Sequence, residues 1–298
     1  MNETVGRLRH FTPLRYPGGK GRLAPYIKAI IEQNGLSDGH YVEPFAGGAA
    51  IAMELLFHEY VESVHINDLS RPVFAFWNCV LAATDDLCRL VRETPLTMDQ
   101  WQEQKKIYRN QETADELSLG FAFFFLNRTN RSGILNGGVI GGKDQSGPWK
   151  IDARYNAAEL ITRITSIARL RERIKLSNLD ALEFLEKGRT AWPETTLIYC
   201  DPPYYVKGRE LYYHFYQADD HIAIASKMAS IDKQKWIVSY DNVAEINAIY
   251  EAHPRLTYDI GYSARSARQG SEVMFFGPGL KMPNVVGAIS ETERHMAV

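Results

Sequence analysis

The stretch TLIYCDPPYY, from Thr196 to Tyr205, passes from a continuous apolar run to a carboxylate, two prolines and two phenol rings. Asp201 offers a charged acceptor. Pro202 and Pro203 lack a backbone N–H and hold φ near about −65°, so they make a rigid turn that leaves the Pro202 carbonyl free to accept a hydrogen bond. Tyr204 adds a flat face. Together these groups suit a planar substrate bearing an amino group, with two acceptors for its N–H bonds and a ring to stack against it.

A second constellation precedes it. In VEPFAGGAAI, Gly47 and Gly48 follow a short apolar run and open a helical pattern. Glycines there let a backbone approach a ligand beside a helix N-terminus. Asp68 closes the next strand pattern, SVHIND, about twenty residues beyond the glycines, a position suited to gripping ribose hydroxyls.

The elements that must position these groups follow from periodicity. Leu197, Ile198, Tyr199 and Cys200 read as a strand buried on both faces. Leu23, Tyr26, Ile27, Ile30 and Ile31 fall at helical spacing, with Gly35 as a stop. Strand and helix patterns alternate at both ends of the chain, which predicts an α/β fold with a parallel sheet and crossover helices. Between residues 71 and 170 the pattern is helical, with Phe121, Phe124 and Phe125 on one face. A polar, glycine-rich excursion over 127–156 interrupts it, and a loop that long implies a function or disorder. The alternation resumes at IKLSNLDALEFLEK, and RLTYDIGYS and SEVMFFG read as closing antiparallel strands. The expected organisation is a discontinuous catalytic domain of 1–71 and 173–280, an inserted domain of 72–172, and a frayed tail of 281–298.

Bulk composition narrows the classes. With 298 residues, 45% hydrophobic and 23% charged, the chain can build a sizeable core. A net charge of −2 excludes a polycation but leaves room for local basic patches. One run, from Arg7 to Lys28, carries Arg7, Arg9, Arg15, Lys20, Arg22 and Lys28 without an acid. No apolar run reaches the length of a membrane span. Three cysteines, an odd number without metal spacing, argue against a disulfide framework and for a reducing cytoplasm. The histidines lack metal spacing, and no metal is assigned.

RYPGGK, EPFAGG, IND and DPPYY, in this order, resemble the Dam-like, α-type family of DNA adenine N6-methyltransferases, over roughly Pro13 to Phe276. FLNRTNRSGILNGG is similar to the Asn-Arg start of that family's target-recognition segment. The resemblance implies a class I S-adenosylmethionine-dependent methyltransferase fold. That fold is a Rossmann-like seven-stranded sheet, here with an inserted, mostly helical target-recognition domain. It implies S-adenosylmethionine as cofactor, double-stranded DNA with a short recognition site as partner, and a monomer on DNA. It also admits a cognate restriction endonuclease. Tyr16 and Lys20 would lie against the methionine part of the cofactor. Pro44, Phe45, Ala46, Gly47 and Gly48 would line it, Asp68 would hold the ribose, and Asp180 would approach the adenine. Asp201, Pro202, Pro203 and Tyr204 would form the catalytic turn, with Asp201 also near the cofactor's amino group. The chain departs from the family in having Arg15-Tyr16 where Lys-Trp is more frequent, and adjacent glycines in place of Gly-x-Gly.

On this reading the amino nitrogen of an extruded adenine donates to the Asp201 carboxylate and the Pro202 carbonyl while Tyr204 stacks on the base. Asp201 is expected to be an ordinary, ionised carboxylate. Arg128, Asn130, Arg131 and Asn136 would meet base edges or phosphates, and Lys143 and Lys150 phosphates; a solvated loop face is an equal alternative for each. A cytosine amino group, an RNA adenine and a glutamine amide are rival planar acceptors. Asp in place of Asn before Pro-Pro-Tyr, together with YPGGK and the inserted loop, favours DNA adenine.

Overall fold

The computed structural model describes residues 10–15, 20–205, 216–260 and 271–296. Tyr16, Gly18 and Gly19, with Arg7 and Arg9 of the basic run, lie outside the described residues. The strands are β1 (Gly39–Glu43), β2 (Val61–Asn67), β3 (Ile174–Ser177), β4 (Thr196–Cys200), β5 (Lys235–Asp241), β6 (Arg255–Ile260), β7 (Glu272–Phe276) and β8 (Ile289–His295). They follow the order β3-β2-β1-β4-β5-β7-β6-β8. The pairs β1–β2, β1–β4 and β4–β5 are parallel, whereas β7 runs antiparallel to β5 and β6, and β8 antiparallel to β6.

Among the described residues the sheet therefore has eight strands where the sequence led us to expect seven. The extra one, β8, occupies the segment read as a frayed tail. Only Ile289 of β8 is buried, and Glu291, Glu293 and Arg294 face solvent or its margin. A charged edge strand of this kind resists further pairing, and it carries no apolar period to reveal it. β4 is the opposite case. All five of its residues are buried between two parallel neighbours, as its unbroken apolar run requires.

The chain divides into two compact units, one of residues 1–19, 47–53 and 68–178, the other of 20–46, 54–67 and 179–298. The first is largely helical, with helices at Arg71–Ala82, Thr84–Glu93, Met98–Arg109, Glu116–Thr129 and Ala157–Ala168. Its centre is Glu116–Thr129, in which Phe123 is buried as well as Phe121, Phe124 and Phe125. A helix apolar around its whole circumference belongs inside a core rather than on its surface. Asp115 caps it by accepting from the Ser118 N–H, and Gly120 lets it touch the helix Arg71–Ala82. A Cβ at Gly120 would lie 2.7 Å from the Ala75 carbonyl oxygen.

The second unit holds the strands other than β3. The order in which its strands are laid down reverses between β1 and β4, since β2 lies on one side of β1 while β4 and β5 lie on the other. Open α/β sheets bind their ligands at such a switch point, outside the carboxyl ends of the strands. The carboxyl end of β1 leads into Pro44-Phe45-Ala46 and that of β4 into Asp201-Pro202-Pro203-Tyr204.

Candidate active site

At the end of β4, in the second unit, the polar side chains bond chiefly to one another. Asp201 Oδ1 accepts from the Ser239 hydroxyl at 2.7 Å and lies 3.1 Å from Lys20 Nζ. Ser239 sits on β5 and is itself bonded to the Tyr199 hydroxyl at 2.7 Å. Lys20 also donates to Glu272 Oε2 at 2.8 Å. Tyr258 donates to the same oxygen at 3.1 Å, and Tyr204 donates to Glu272 Oε1 at 2.9 Å. Lys20 Nζ stands 5.4 Å from the centre of the Tyr204 ring, a cation–π contact. Pro202 is buried, and the Tyr205 N–H donates to Asp241 at 3.0 Å, which fixes the turn's exit.

Both inner partners escaped the sequence reading. Ser239 looked like part of an apolar strand and Glu272 like a strand start; the available signal was a buried-strand pattern containing a polar residue at each position. Ser239 and Lys20 thus both donate to Oδ1 of Asp201, while among the described residues no donor meets Oδ2.

The charges are those of a desolvated site. Burial pushes the Asp201 carboxyl above its ordinary range; Lys20 and the Ser239 hydroxyl oppose this and Glu272 adds to it. The expectation of an ordinary carboxylate is thereby corrected, because the surroundings withhold water faster than Lys20 supplies compensation. For Lys20, burial lowers the pKa, but Asp201, Tyr199, Tyr258 and Glu272 outweigh it and hold the ammonium well above its usual value. Burial likewise raises the Tyr204 phenol, which stays neutral and able to donate.

The residues flagged as cofactor-lining are organised by one buried asparagine. Asn67 Nδ2 donates to the Pro44 and Leu179 carbonyls at 3.0 Å each, and its Oδ1 accepts from the Leu179 N–H at 2.9 Å. The Ala46 N–H returns to the Asn67 carbonyl at 2.8 Å. Asn67 thus ties the β1 exit to the segment before Asp180. Phe45 is half-buried and meets Tyr216 edge-on, with centroids 5.8 Å apart. Asp180 is exposed and caps the helix Ala181–Ala191 through the Leu182 N–H at 2.9 Å.

In the first unit, Gly47 takes φ +46°, the left-handed region that glycine adopts without strain. Its N–H donates to Asp68 Oδ2 at 2.9 Å and its carbonyl accepts from Trp77 Nε1 at 2.9 Å. The Gly48 carbonyl accepts from the Thr12 hydroxyl at 2.6 Å. Asp68 Oδ1 accepts from the Ser70 N–H, so both oxygens of this carboxylate take part in bracing the glycine turn.

The loop residues separate into two kinds. Asn130 is wholly buried: its Oδ1 accepts from Trp101 Nε1 at 2.7 Å, and its Nδ2 donates to the Ile134 and Leu135 carbonyls. Arg128 donates to the Arg154 and Pro13 carbonyls, and burial followed by repulsion from Arg15 and Arg163 lowers its pKa to about 10. Both are committed to holding the chain in place. Asn127, outside the sequence reading, joins them by binding the Arg15 backbone in both directions, at 2.7 and 2.8 Å. Arg131, Asn136, Lys143 and Lys150 are exposed, and Trp149 is 70% exposed. Gln145 orders the excursion, donating to the Ile140 and Gly142 carbonyls and accepting from the Ile151 N–H.

With a DPPY corner at the carboxyl end of β4 and a glycine turn after β1, the architecture is that of a Rossmann-like group-transfer enzyme. The family model of the D12 class N6 adenine-specific DNA methyltransferases matches residues 16–260, and the chain belongs to that family. It is an adenine-specific DNA methyltransferase. It is also 23% identical, over 245 residues, to the type II methyltransferase M.MjaIII of Methanocaldococcus jannaschii, a match covering 74% of this chain and 80% of that protein. Among solved structures it is similar to the rRNA methyltransferase aviRa of Streptomyces viridochromogenes (TM-score 0.41, 14% identity, 93% of each chain). It is likewise similar to the putative methyltransferase yhhF of Escherichia coli (TM-score 0.36, 10% identity, 87% of this chain and 86% of that one). Among the described residues, no helix is long and apolar enough to cross a membrane.

Proposed function

We propose that the chain transfers a methyl group from S-adenosylmethionine to the exocyclic N6 amino group of adenine in duplex DNA, after that base has swung out of the helix. The observation that carries this reading is the division of labour between the two oxygens of Asp201. Oδ1 is held by Lys20 and Ser239, which leaves Oδ2 as a charged acceptor at the mouth of a proline turn. An adenine amino group has two hydrogens, and Asp201 Oδ2 and the Pro202 carbonyl are two acceptors. Hydrogen bonds to both draw the nitrogen toward tetrahedral geometry and free its lone pair from the ring. As the nitrogen gains positive charge, Oδ2 faces that charge without having to reorganise, the form of stabilisation that contributes most in enzyme sites. The raised Asp201 pKa suits Oδ2 to take the proton that the nitrogen sheds.

The donor set fits the cofactor. Asp68 is a carboxylate, the acceptor type that ribose hydroxyls require, and Phe45 offers a half-buried ring. Pro44, Ala46, Gly47, Gly48, Lys20 and Asp180 are the further residues that would hold it. S-adenosylmethionine, when bound, supplies a methyl group on a sulfonium, activated for direct transfer to a nitrogen lone pair.

Extruding a paired adenine costs a few kcal/mol, roughly, and stacking on an aromatic ring returns about 1–3 kcal/mol. Tyr204 is the platform, on the ring face away from Lys20. Arg131, Asn136, Lys143, Lys150 and Trp149 are the loop side chains exposed to meet DNA, and we assign Arg128 and Asn130 to supporting the loop. A restriction endonuclease of the same recognition sequence is the partner such an enzyme would protect against. The test is incubation with methyl-labelled S-adenosylmethionine and, separately, duplex DNA, RNA and protein, followed by hydrolysis and identification of the labelled residue. Label in N6-methyladenine of DNA is expected; label in cytosine, RNA or glutamine alone would overturn the reading.

A further inference from the structure

We propose that Glu272 is a positioning residue of this site: it holds Lys20 and Tyr204 so that Asp201 keeps one carboxylate oxygen for the extruded amino group. The inference rests on the methyl-transfer reading above and assigns a role to a residue outside every recognised motif of the chain. Glu272 opens β7 opposite Asp241 of β5 and is 5% exposed. Among the described residues, Tyr204 donates to its Oε1, and Lys20 and Tyr258 donate to its Oε2.

The geometry gives this carboxylate a particular effect. Lys20 lies between two acids, 2.8 Å from Glu272 and 3.1 Å from Asp201. A single lysine beside Asp201 would make a neutral pair and draw both carboxylate oxygens toward itself. Shared with Glu272, the ammonium is satisfied at two points and is drawn off Asp201, whose own charge can then serve the position where positive charge grows during transfer. The Tyr204 hydroxyl, tied to the same carboxylate, fixes the plane of the stacking ring relative to the acceptor oxygen. Buried carboxylates that share one cation contribute little net stability compared with apolar packing, so stability alone does not account for Glu272 at a strand start.

The test is single-turnover methylation by the full chain, on DNA carrying its site, for wild type, Glu272→Gln, Tyr204→Phe and the double variant, with cofactor and DNA affinities measured in parallel. Glu272→Gln should slow methyl transfer about 10–100-fold while both affinities stay within about threefold, since the residue acts on the chemical step. Tyr204→Phe keeps the ring and releases only Oε1, so a loss of about 3–10-fold is expected. The double variant should fall short of the product of the single losses, because both changes break one network.

The acid limb of the rate profile supplies a readout that a merely structural role would not move. Asp201 is faced by Lys20 from the turn before the helix Ala24–Gln33, Glu272 from β7, Tyr258 from β6, Tyr199 and Cys200 from β4, Tyr41 from β1 and Tyr204. Of these, Glu272 is the other carboxylate, and its negative charge opposes ionisation of Asp201. Its removal should therefore shift the acid limb to lower pH. A Glu272→Gln enzyme with a rate within twofold of wild type, or with multiplicative losses and an unmoved acid limb, would overturn the proposal. Should Glu272→Gln fail to fold, Tyr204→Phe decides alone, and a rate equal to wild type would sink the idea. Wild-type enzyme that forms no N6-methyladenine would instead sink the functional reading on which it stands.

Discussion

The corner at the end of β4 and the loop over 127–156 are both rich in polar side chains, yet they use them in different ways. In the corner, Lys20, Asp201, Ser239 and Glu272 bond to one another, and among the described residues both donors to Asp201 meet Oδ1. In the loop, Asn130, Asn127 and Gln145 bond mainly to the backbone, and the residues left for a partner are single exposed side chains. The contrast separates a site whose chemistry demands fixed geometry from a surface whose shape is fixed first and whose contacts are added to it. A polar side chain in a buried setting must find partners, so its type alone does not tell whether it serves a substrate or the chain.

The contrast breaks most visibly at Asp201. Asp201→Ala should lower the methyl-transfer rate by about 10²–10³-fold or more, the scale seen when one preorganised polar group is removed, with circular dichroism and melting little changed. The loop's supporting residues should show the reverse pattern. Asn130→Ala leaves Trp101 Nε1 and two carbonyls without their partner and should cost about 2–4 kcal/mol in denaturant unfolding, whereas Asn136→Ala should stay within about 0.5 kcal/mol. Equal losses at both positions would erase the distinction.

The pH dependence sharpens the corner's side of the comparison. A protonated Asp201 carries an O–H and loses the charge that attracts the amino group, so the rate falls as pH drops through its pKa. Burial raises that pKa, and the acid limb of the single-turnover profile should lie above the ordinary Asp value of about 3.9. A limb at or below that value would contradict the desolvated geometry. The smallest effects belong to Lys143 and Lys150. Each alanine variant should weaken DNA binding evenly across sequences and reduce the slope of log K against log salt by about one unit or less. A variant that changes sequence preference instead would move that lysine from phosphate to base.

The Asp-Pro-Pro-Tyr turn was legible as a corner at the end of β4, because an acid, two prolines and a tyrosine after a doubly buried strand admit few readings. The glycine turn and Asp68 were legible as a pair, although not the bracing of Gly47 by Asp68. Glu272 and Ser239 were hidden because they reach Lys20 from β7 and Asp201 from β5 respectively, far away along the chain, and a strand pattern does not say which residue its polar member will meet. Asn130 was misplaced for the same reason, since a buried partner such as Trp101 is a tertiary fact. β8 escaped because an exposed edge strand needs charges rather than an apolar rhythm.

The most direct test is the single-turnover rate of adenine methylation by Asp201→Asn. Lys20 and Ser239 both donate to Oδ1, so the amide oxygen of an asparagine will face them and its NH₂ will take the place of Oδ2. A donor will then meet a donor. The rate should fall about as far as with alanine while cofactor binding persists, and an asparagine enzyme with near wild-type transfer would contradict the assignment of Oδ2 to the substrate.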